Sequence, residues 1–139
     1  MNVLFFLKPK QEVEFIYDDE TLRQVLEKME YHRYSAIPLI SRKDGTYIGT
    51  IMARDLLWYV KEQKEFSLRQ AEDISIMKIR REYDNLPVDV DADMEDLIER
   101  IVNQNFVPVI DDSRIFIGII TRKDVINYLV EKEKEKTAP

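Results

Sequence analysis

The sequence carries one pattern of residues twice. The first copy comprises residues 36–41 and 47–55, and the second comprises residues 106–111 and 116–124. Pro38 and Pro108 lie 70 positions apart, while Gly49 and Gly118 lie 69 apart. A small supersecondary unit seldom buries its apolar face alone, so such units stack on a neighbour. The repeat therefore predicts two units related by a pseudo-two-fold axis, with ligand space between them.

The composition of the chain argues against a catalytic function. The 139 residues include no cysteine and a single histidine, His32. These counts disfavour disulfides, thiolate metal sites, a histidine zinc cluster and a Ser-His-Asp triad. We interpret His32 as a surface residue at a helix end, because no second acid-base partner is apparent. The chain is accordingly predicted to be a non-enzyme with no metal site.

Charge and hydropathy narrow the possible partners. Acidic residues outnumber basic ones by 27 to 21, and the net charge of −6 argues against sequence-independent binding of nucleic acid. The apolar run from Val3 to Leu7 is too short for a signal-peptide core, and no segment approaches the roughly 20 apolar residues of a membrane helix. We therefore expect a cytoplasmic protein without membrane contact.

Each copy has the pattern of strand, helix, strand, turn, strand and helix. Thr21 and Gln24 form a capping box before the first helix, and Asp44-Gly45 indicates a hairpin turn. In the second copy Asp93 and Asp96 cap a helix whose predicted inward residues are Met94, Leu97, Ile98 and Ile101. The predicted division is a first repeat over residues 1–60, a linker over 61–76 holding a short helix capped by Ser67, and a second repeat over 77–139.

The duplicated motif, a proline in a hydrophobic strand followed by a hairpin and Gly-x-x-Thr-x-x-Asp, resembles the cystathionine β-synthase (CBS) domain pair. The resemblance runs from about Val13 to Tyr128 and extends to stand-alone pairs, also called Bateman modules. It implies an α/β (α+β) fold of tandem repeats, each a small three-stranded sheet packed against two helices. It also implies an adenine nucleotide in the clefts between the repeats, and a homodimer.

The motif is chemically suited to a ribose phosphate. Gly118 would let a ligand approach the backbone, and the Thr121 hydroxyl with free amides at a helix start would bind phosphate. Asp124 would accept hydrogen bonds from two ribose hydroxyls, and Arg122 or Lys123 would supply positive charge. A plain capping box formed by Thr121 and Asp124 is the structural alternative.

By resemblance, the adenine base would lie against the other repeat. Tyr34 would stack on it, and Lys10 would contact phosphate or a base edge. The predicted backbone contacts are Val13, Ser35, Ala36 and Pro38. For Tyr34 the alternative is an ordinary surface aromatic residue.

A second, weaker site is predicted around Asp55, where Met52 takes the place of Thr121 and removes a hydroxyl. Arg54, Arg80 and Arg81 could compensate with positive charge. The remaining wall residues of that site would be Tyr83, Phe106 and Pro108. Phe106 replaces the small Ala36 and narrows the cleft, and Tyr83, like Tyr34, has a surface alternative.

Three functional hypotheses follow. The leading one is a regulatory sensor of AMP, ADP, ATP or cyclic di-AMP without any other cofactor, acting on an unidentified protein partner that could be an enzyme. The second is a ligand-independent adaptor that binds a partner through its apolar N-terminus, where Leu4, Phe5 and Phe6 would cover an edge of the fold or an interface. Catalysis is the third and has the least support, since no nucleophile with a base is present.

Overall fold

The computed structural model describes residues 1–137, which form two compact units. The continuous unit is Glu14–Asp84. The discontinuous unit combines Met1–Val13 with the chain from Asn85 onwards. The expected mixed α/β fold is confirmed, with one small sheet in each unit and helices beside it.

In chain order the strands are β1 (Lys8–Pro9), β2 (Ile16–Tyr17), β3 (Ala36–Ile40), β4 (Tyr47–Met52), β5 (Val88–Asp89), β6 (Phe106–Ile110) and β7 (Phe116–Thr121). The α-helices are α1 (Leu22–His32), α2 (Ala53–Glu62), α3 (Leu68–Ala71), α4 (Met94–Asn103) and α5 (Arg122–Thr137). Short 3₁₀ helices cover Val3–Phe6, Lys10–Glu12 and Ile76–Lys78. Within residues 1–137, no helix is long and apolar enough to cross a membrane.

The two sheets share one arrangement. In the continuous unit the order is β2-β3-β4, with β2 parallel and β4 antiparallel to β3. In the discontinuous unit β5, β6 and β7 repeat it, with β5 parallel and β7 antiparallel to β6. The prediction of three strands per sheet needs one correction, because β1 adds a fourth strand antiparallel to β7.

Local sequence signals account for the helix starts and the turn. Thr21 and Gln24 make both hydrogen bonds of the predicted capping box at α1. The side chain of Ser67 caps α3, and that of Asp93 caps α4. Gly45 has a φ of 77°, and its N–H donates to the Ser41 carbonyl, which closes the predicted hairpin turn.

Each unit has its own apolar core. In the continuous unit the core is formed by α1, α2 and the strands β2, β3 and β4, with Ala71 and Ile76 of the predicted linker and Ile79 just after it. The buried residues of α4 are Leu97 and Ile101, and Met94 packs against them. Ile98 was expected inward but is 38% exposed, since the apolar stripe of α4 is narrower than predicted.

The N-terminal segment contributes to the core of the discontinuous unit. Val3 and Phe6 are buried there, and the Phe6 ring meets Tyr128 of α5 edge-on at 5.2 Å. Leu4 and Phe5 are 39% and 66% exposed. The segment therefore covers part of the fold through Phe6, as expected, together with Val3 and Leu7, whereas Leu4 and Phe5 stay exposed.

The compact units divide the chain differently from the repeats. Residues before Glu14 belong with the second copy of the motif, and the segment between α3 and Asp84 belongs with the first. The repeat boundaries at residues 60 and 77 stay a prediction about the sequence.

Candidate functional site

The start of α5 carries the predicted ribose-phosphate motif. Thr121 ends β7, and its Oγ1 accepts a hydrogen bond of 3.2 Å from the Asp124 N–H. The hydroxyl therefore caps the helix, as the structural alternative expected. This bond uses the backbone of Asp124 and not its carboxylate.

The Asp124 carboxylate faces a lysine on the neighbouring strand. Its Oδ2 lies 3.7 Å from Nζ of Lys8, and the two side chains are 39% and 47% exposed. Among residues 1–137, no other polar group contacts the Asp124 carboxylate. An ion pair of this exposure contributes about 0–1 kcal/mol, so a ligand could displace it at little cost.

Gly118 is needed by the sheet itself. A Cβ on Gly118 would lie 2.1 Å from the Lys8 carbonyl oxygen, and the residue has a φ of +155°. Pro9 lies opposite Gly118 in the antiparallel pair. The close approach that we expected from a ligand is therefore made by strand β1.

Arg122, at the start of α5, has a structural role at the C-terminal end of α4. Its Nε donates a 2.7 Å hydrogen bond to the Ile101 carbonyl, and its N–H donates to the Asn105 carbonyl. The guanidinium thus caps the C-terminus of α4, where positive charge is favourable. Lys123 is exposed and leaves the first turn of α5 one cation that could face an anion.

Lys10 and Val13 lie in the same unit as Asp124. Lys10 begins the 3₁₀ helix that follows β1, and Val13 is the residue directly after that helix. Both residues are partly buried. Lys10, Val13, Gly118, Thr121 and Asp124 therefore all belong to the discontinuous unit. That unit also places Lys8, which the sequence analysis missed, beside Asp124.

The predicted base-contact residues belong to the continuous unit. Tyr34 is 41% exposed, and its ring stacks on His32 at 5.1 Å with an interplanar angle of 11°. His32 also lies 3.5 Å from a carboxylate oxygen of Glu14. Ser35 accepts a hydrogen bond at its carbonyl from the Ala53 N–H. Ala36 and Pro38 lie in β3, and Pro38 is buried.

Asp55, at the start of α2, uses its carboxylate quite differently from Asp124. Its side chain is buried at 4% exposure. Oδ2 accepts a hydrogen bond of 3.0 Å from the Met52 N–H, and Oδ1 accepts one of 3.3 Å from the Glu82 N–H. Because Met52 supplies no hydroxyl cap, the aspartate makes the backward half of a capping box. Both carboxylate oxygens are thereby engaged by the backbone.

The Asp84 carboxylate contacts the backbone next to Gly49. Its Oδ1 accepts hydrogen bonds of 2.8 Å from the Thr50 N–H and from Nε of Arg81. A Cβ on Gly49 would lie 2.3 Å from the same oxygen. Arg81, which was predicted to compensate with positive charge, is thus paired within the unit. Sequence reasoning missed Asp84, although its i,i+3 spacing from Arg81 was a usable signal.

The other residues of the predicted second site have mixed surroundings. Arg54 lies over the Tyr83 ring at 5.3 Å, and Tyr83 is 61% exposed. Arg80 borders a small polar pocket of about 280 Å³, lined by Asp55, Trp58, Tyr59, Glu62, Arg80 and Glu82. Three acidic groups and one basic group make this lining unfavourable for an anion.

Phe106 and Pro108 of the predicted second site lie in β6 of the discontinuous unit, and both are buried. The Phe106 carbonyl accepts hydrogen bonds from the side-chain amides of Asn85 and Gln104. Among residues 1–137 no group of three or more His, Cys, Asp or Glu side chains is arranged to hold a metal ion.

Comparison with known proteins gives consistent results. A curated relative, the uncharacterized protein MJ1225 of Methanocaldococcus jannaschii, is 24% identical over 131 residues, covering 86% of this chain and 46% of the relative. The chain spans about half the length of the curated relatives it matches. The crystal structure of MJ1225, described as a candidate archaeal homologue of γ-AMPK, superposes with a TM-score of 0.79 at 22% identity, covering 95% and 51% of the two chains.

Two shorter solved structures match over nearly their whole length. A hypothetical conserved protein of Geobacillus kaustophilus gives a TM-score of 0.82 at 25% identity, covering 95% of this chain and 98% of that one. The protein CbpB in complex with c-di-AMP gives 0.81 at 24% identity, covering 98% and 91%. These likenesses bear out the fold.

The family model confirms the resemblance noted in the sequence. The CBS domain model matches residues 7–62 and again residues 71–131. The two matches are tandem and cover most of the chain. Each contains one copy of the motif that runs from Gly49 to Asp55 and from Gly118 to Asp124. This chain therefore belongs to the CBS domain family.

Proposed function

We propose that this chain is a regulatory module that binds an adenine nucleotide, with the ribose on Asp124. The observation that carries the proposal is that Thr121 and Asp124, at the start of α5, have different roles. Thr121 caps the helix through its hydroxyl, and among residues 1–137 the Asp124 carboxylate is held only by its half-exposed ion pair with Lys8. A carboxylate in this position can accept two hydrogen bonds from a ribose diol.

The surroundings of Asp124 favour a phosphorylated ligand. The N-terminus of the 16-residue helix α5 carries a partial positive charge, although the N–H groups of Arg122 and Asp124 already donate hydrogen bonds within the unit. Lys8 and Lys123 add cationic side chains from the same unit. The names of the relatives support an adenine nucleotide, because CbpB was solved with c-di-AMP and MJ1225 is compared with γ-AMPK.

The same reasoning makes the start of α2 a poor nucleotide site. The Asp55 carboxylate is buried and fully engaged, and Asp84 neutralises Arg81 beside Gly49. A ribose at Asp55 would have to break two backbone hydrogen bonds. We therefore expect one nucleotide per chain.

Isothermal calorimetry with AMP, ADP, ATP and c-di-AMP tests the proposal, with GMP and c-di-GMP as controls. Asp124→Ala should weaken binding about tenfold or more, which corresponds to about 1.4 kcal/mol. Glu131→Ala removes the same charge from an exposed position of the same helix and should leave affinity unchanged. Equal affinity of a folded Asp124→Ala variant would remove the ribose role, and silence across the panel would refute nucleotide binding.

We also expect a homodimer. An apolar groove of about 630 Å³ lies along α1 and α2, lined by residues that include Leu26, Met29, Leu57 and Val60. An exposed groove of this kind is typical of a protein-protein contact. Light scattering should give twice the monomer mass of 16.6 kDa. A monomer at micromolar concentration would contradict the expectation.

The adaptor hypothesis keeps one specific observation in its favour, the exposure of Leu4 and Phe5. Deleting Met1 to Leu7 would not test it, because Val3 and Phe6 belong to the core. Phe5→Ser is the sharper variant. If a pulled-down partner is lost with Phe5→Ser and is indifferent to nucleotide, the adaptor replaces the sensor.

A further inference from the structure

Lys8 is held beside Asp124 by the backbone of β1. It lies opposite Ile119 of β7, and its carbonyl makes the close approach that Gly118 permits. Its side chain is 47% exposed and ends 3.7 Å from the Asp124 carboxylate. The main chain at this position is therefore fixed by the sheet, while the flexible stem lets the ammonium group move by several ångströms.

A ribose and Lys8 compete for one carboxylate. When two hydroxyls of a ligand donate to Asp124, the ammonium of Lys8 loses part of its counter-charge. It stays close to the positively polarised start of α5, whose first turn also carries Lys123. A bound nucleoside would leave these positive groups with less counter-charge. A bound phosphate ester would supply an anion.

We propose that Lys8 makes the site select phosphorylated nucleosides over free nucleosides, by exchanging its Asp124 partner for a ligand phosphate. This inference rests on the proposed function, since it names the chemistry that the Asp124 site prefers. In the free chain Lys8 holds the carboxylate, and in the complex it holds the phosphate. Lys8 is thus a specificity-determining residue that the repeated motif does not contain.

The test compares two ligands on one set of variants. Calorimetry gives the affinity of adenosine and that of the tightest phosphorylated ligand found among AMP, ATP and c-di-AMP. Because a hydrogen bond to a charged group is stronger than one between neutral groups, Lys8→Met should lower the ratio of the phosphorylated-ligand affinity to the adenosine affinity about tenfold. Adenosine affinity should stay the same or rise, since its competitor for Asp124 is gone. Lys43→Met, in the exposed β3-β4 turn, removes the same charge and should preserve the ratio.

Salt provides a second readout. The preference for the phosphorylated ligand should decline with ionic strength in the native chain and lose most of that dependence in Lys8→Met. An unchanged ratio in a Lys8→Met variant that still binds the phosphorylated ligand overturns this inference and leaves the proposed function standing. The same holds if Lys123→Met lowers the ratio and Lys8→Met does not. Failure of the native chain to bind any ligand of the panel overturns both.

Discussion

The two motif aspartates should differ clearly in their contribution to stability. Asp55→Ala removes the acceptors of two backbone N–H groups, those of Met52 and Glu82. A buried donor left without a partner costs about 1–3 kcal/mol. Because both donors are only partly buried, we expect the lower part of that range for each, or about 2–4 kcal/mol in total.

Asp124→Ala should cost far less. The ion pair that it removes joins two side chains that are 47% and 39% exposed, and such pairs contribute about 0–1 kcal/mol. The hydrogen bond that caps α5 uses the backbone N–H of residue 124 and survives the substitution. Each aspartate also lies in the first turn of its helix, so the favourable interaction with the helix dipole is lost in both variants and cancels in the comparison.

Urea unfolding measures the difference. Circular dichroism follows the whole chain, and the fluorescence of Trp58, the only tryptophan, reports on the continuous unit that contains Asp55. Asp55→Ala should lower the free energy of unfolding by about 2–4 kcal/mol, and Asp55→Asn by about half as much because it keeps one acceptor oxygen. Equal losses for Asp55→Ala and Asp124→Ala, or a larger loss for the latter, would refute the assignment of a structural role to one aspartate and a ligand role to the other.

Three further predictions concern the sheet edge, the hairpin and the N-terminal segment. Gly118→Ala should destabilise the chain by about 1–3 kcal/mol or more and raise hydrogen exchange in β1, because the new methyl group meets the Lys8 carbonyl. Unchanged protection of the β1 amides from exchange would contradict this prediction. Hydrogen bonds from Thr46 lower the pKa of Asp44 from its usual 3.8, so its contribution to stability is complete above that value and is lost as pH falls through the lower folded pKa. Asp44→Ala should remove this dependence of stability on acid pH, and an identical profile of stability against pH in the variant would exclude this role of Asp44. Phe6→Ala should cost about 3–5 kcal/mol by leaving a cavity beside α5, whereas a loss below 1 kcal/mol would mean that the segment is not part of the core.

Local chemistry explains which parts of the fold were predictable. The capping box of Thr21 and the Asp44-Gly45 turn depend on neighbouring residues alone, so their sequences identify them. The strand β1 is different, because two residues carry no periodicity and its partner β7 lies far along the chain. The fourth strand of the sheet therefore had no signal in the sequence.

The candidate site divides in the same way. Met52 stands in the first copy where the second has Thr121, and this difference in the sequence indicated that the two helix starts would differ. The consequence, a buried Asp55 bonded to the Glu82 N–H, depends on a segment 27 residues further along the chain. Lys8 was missed for the same reason, since it meets Asp124 only through tertiary structure. For Asp84 the i,i+3 pair with Arg81 was visible in the sequence, but its bond to the Thr50 N–H was not.

The pairing of β1 with β7 also affects the order in which the chain can fold. Lys8 and its partner Ile119 are separated by 111 positions, and long-range contacts of this kind form slowly. The continuous unit has all of its residues once Asp84 has been synthesised, whereas β1 must wait for the last strand. Until β1 and β7 pair, β7 has no neighbour on one side, which exposes a row of unpaired backbone groups. A protein cut between its two sequence repeats would keep that exposed edge permanently, so the halves of this duplicated chain should be far more prone to aggregate apart than together.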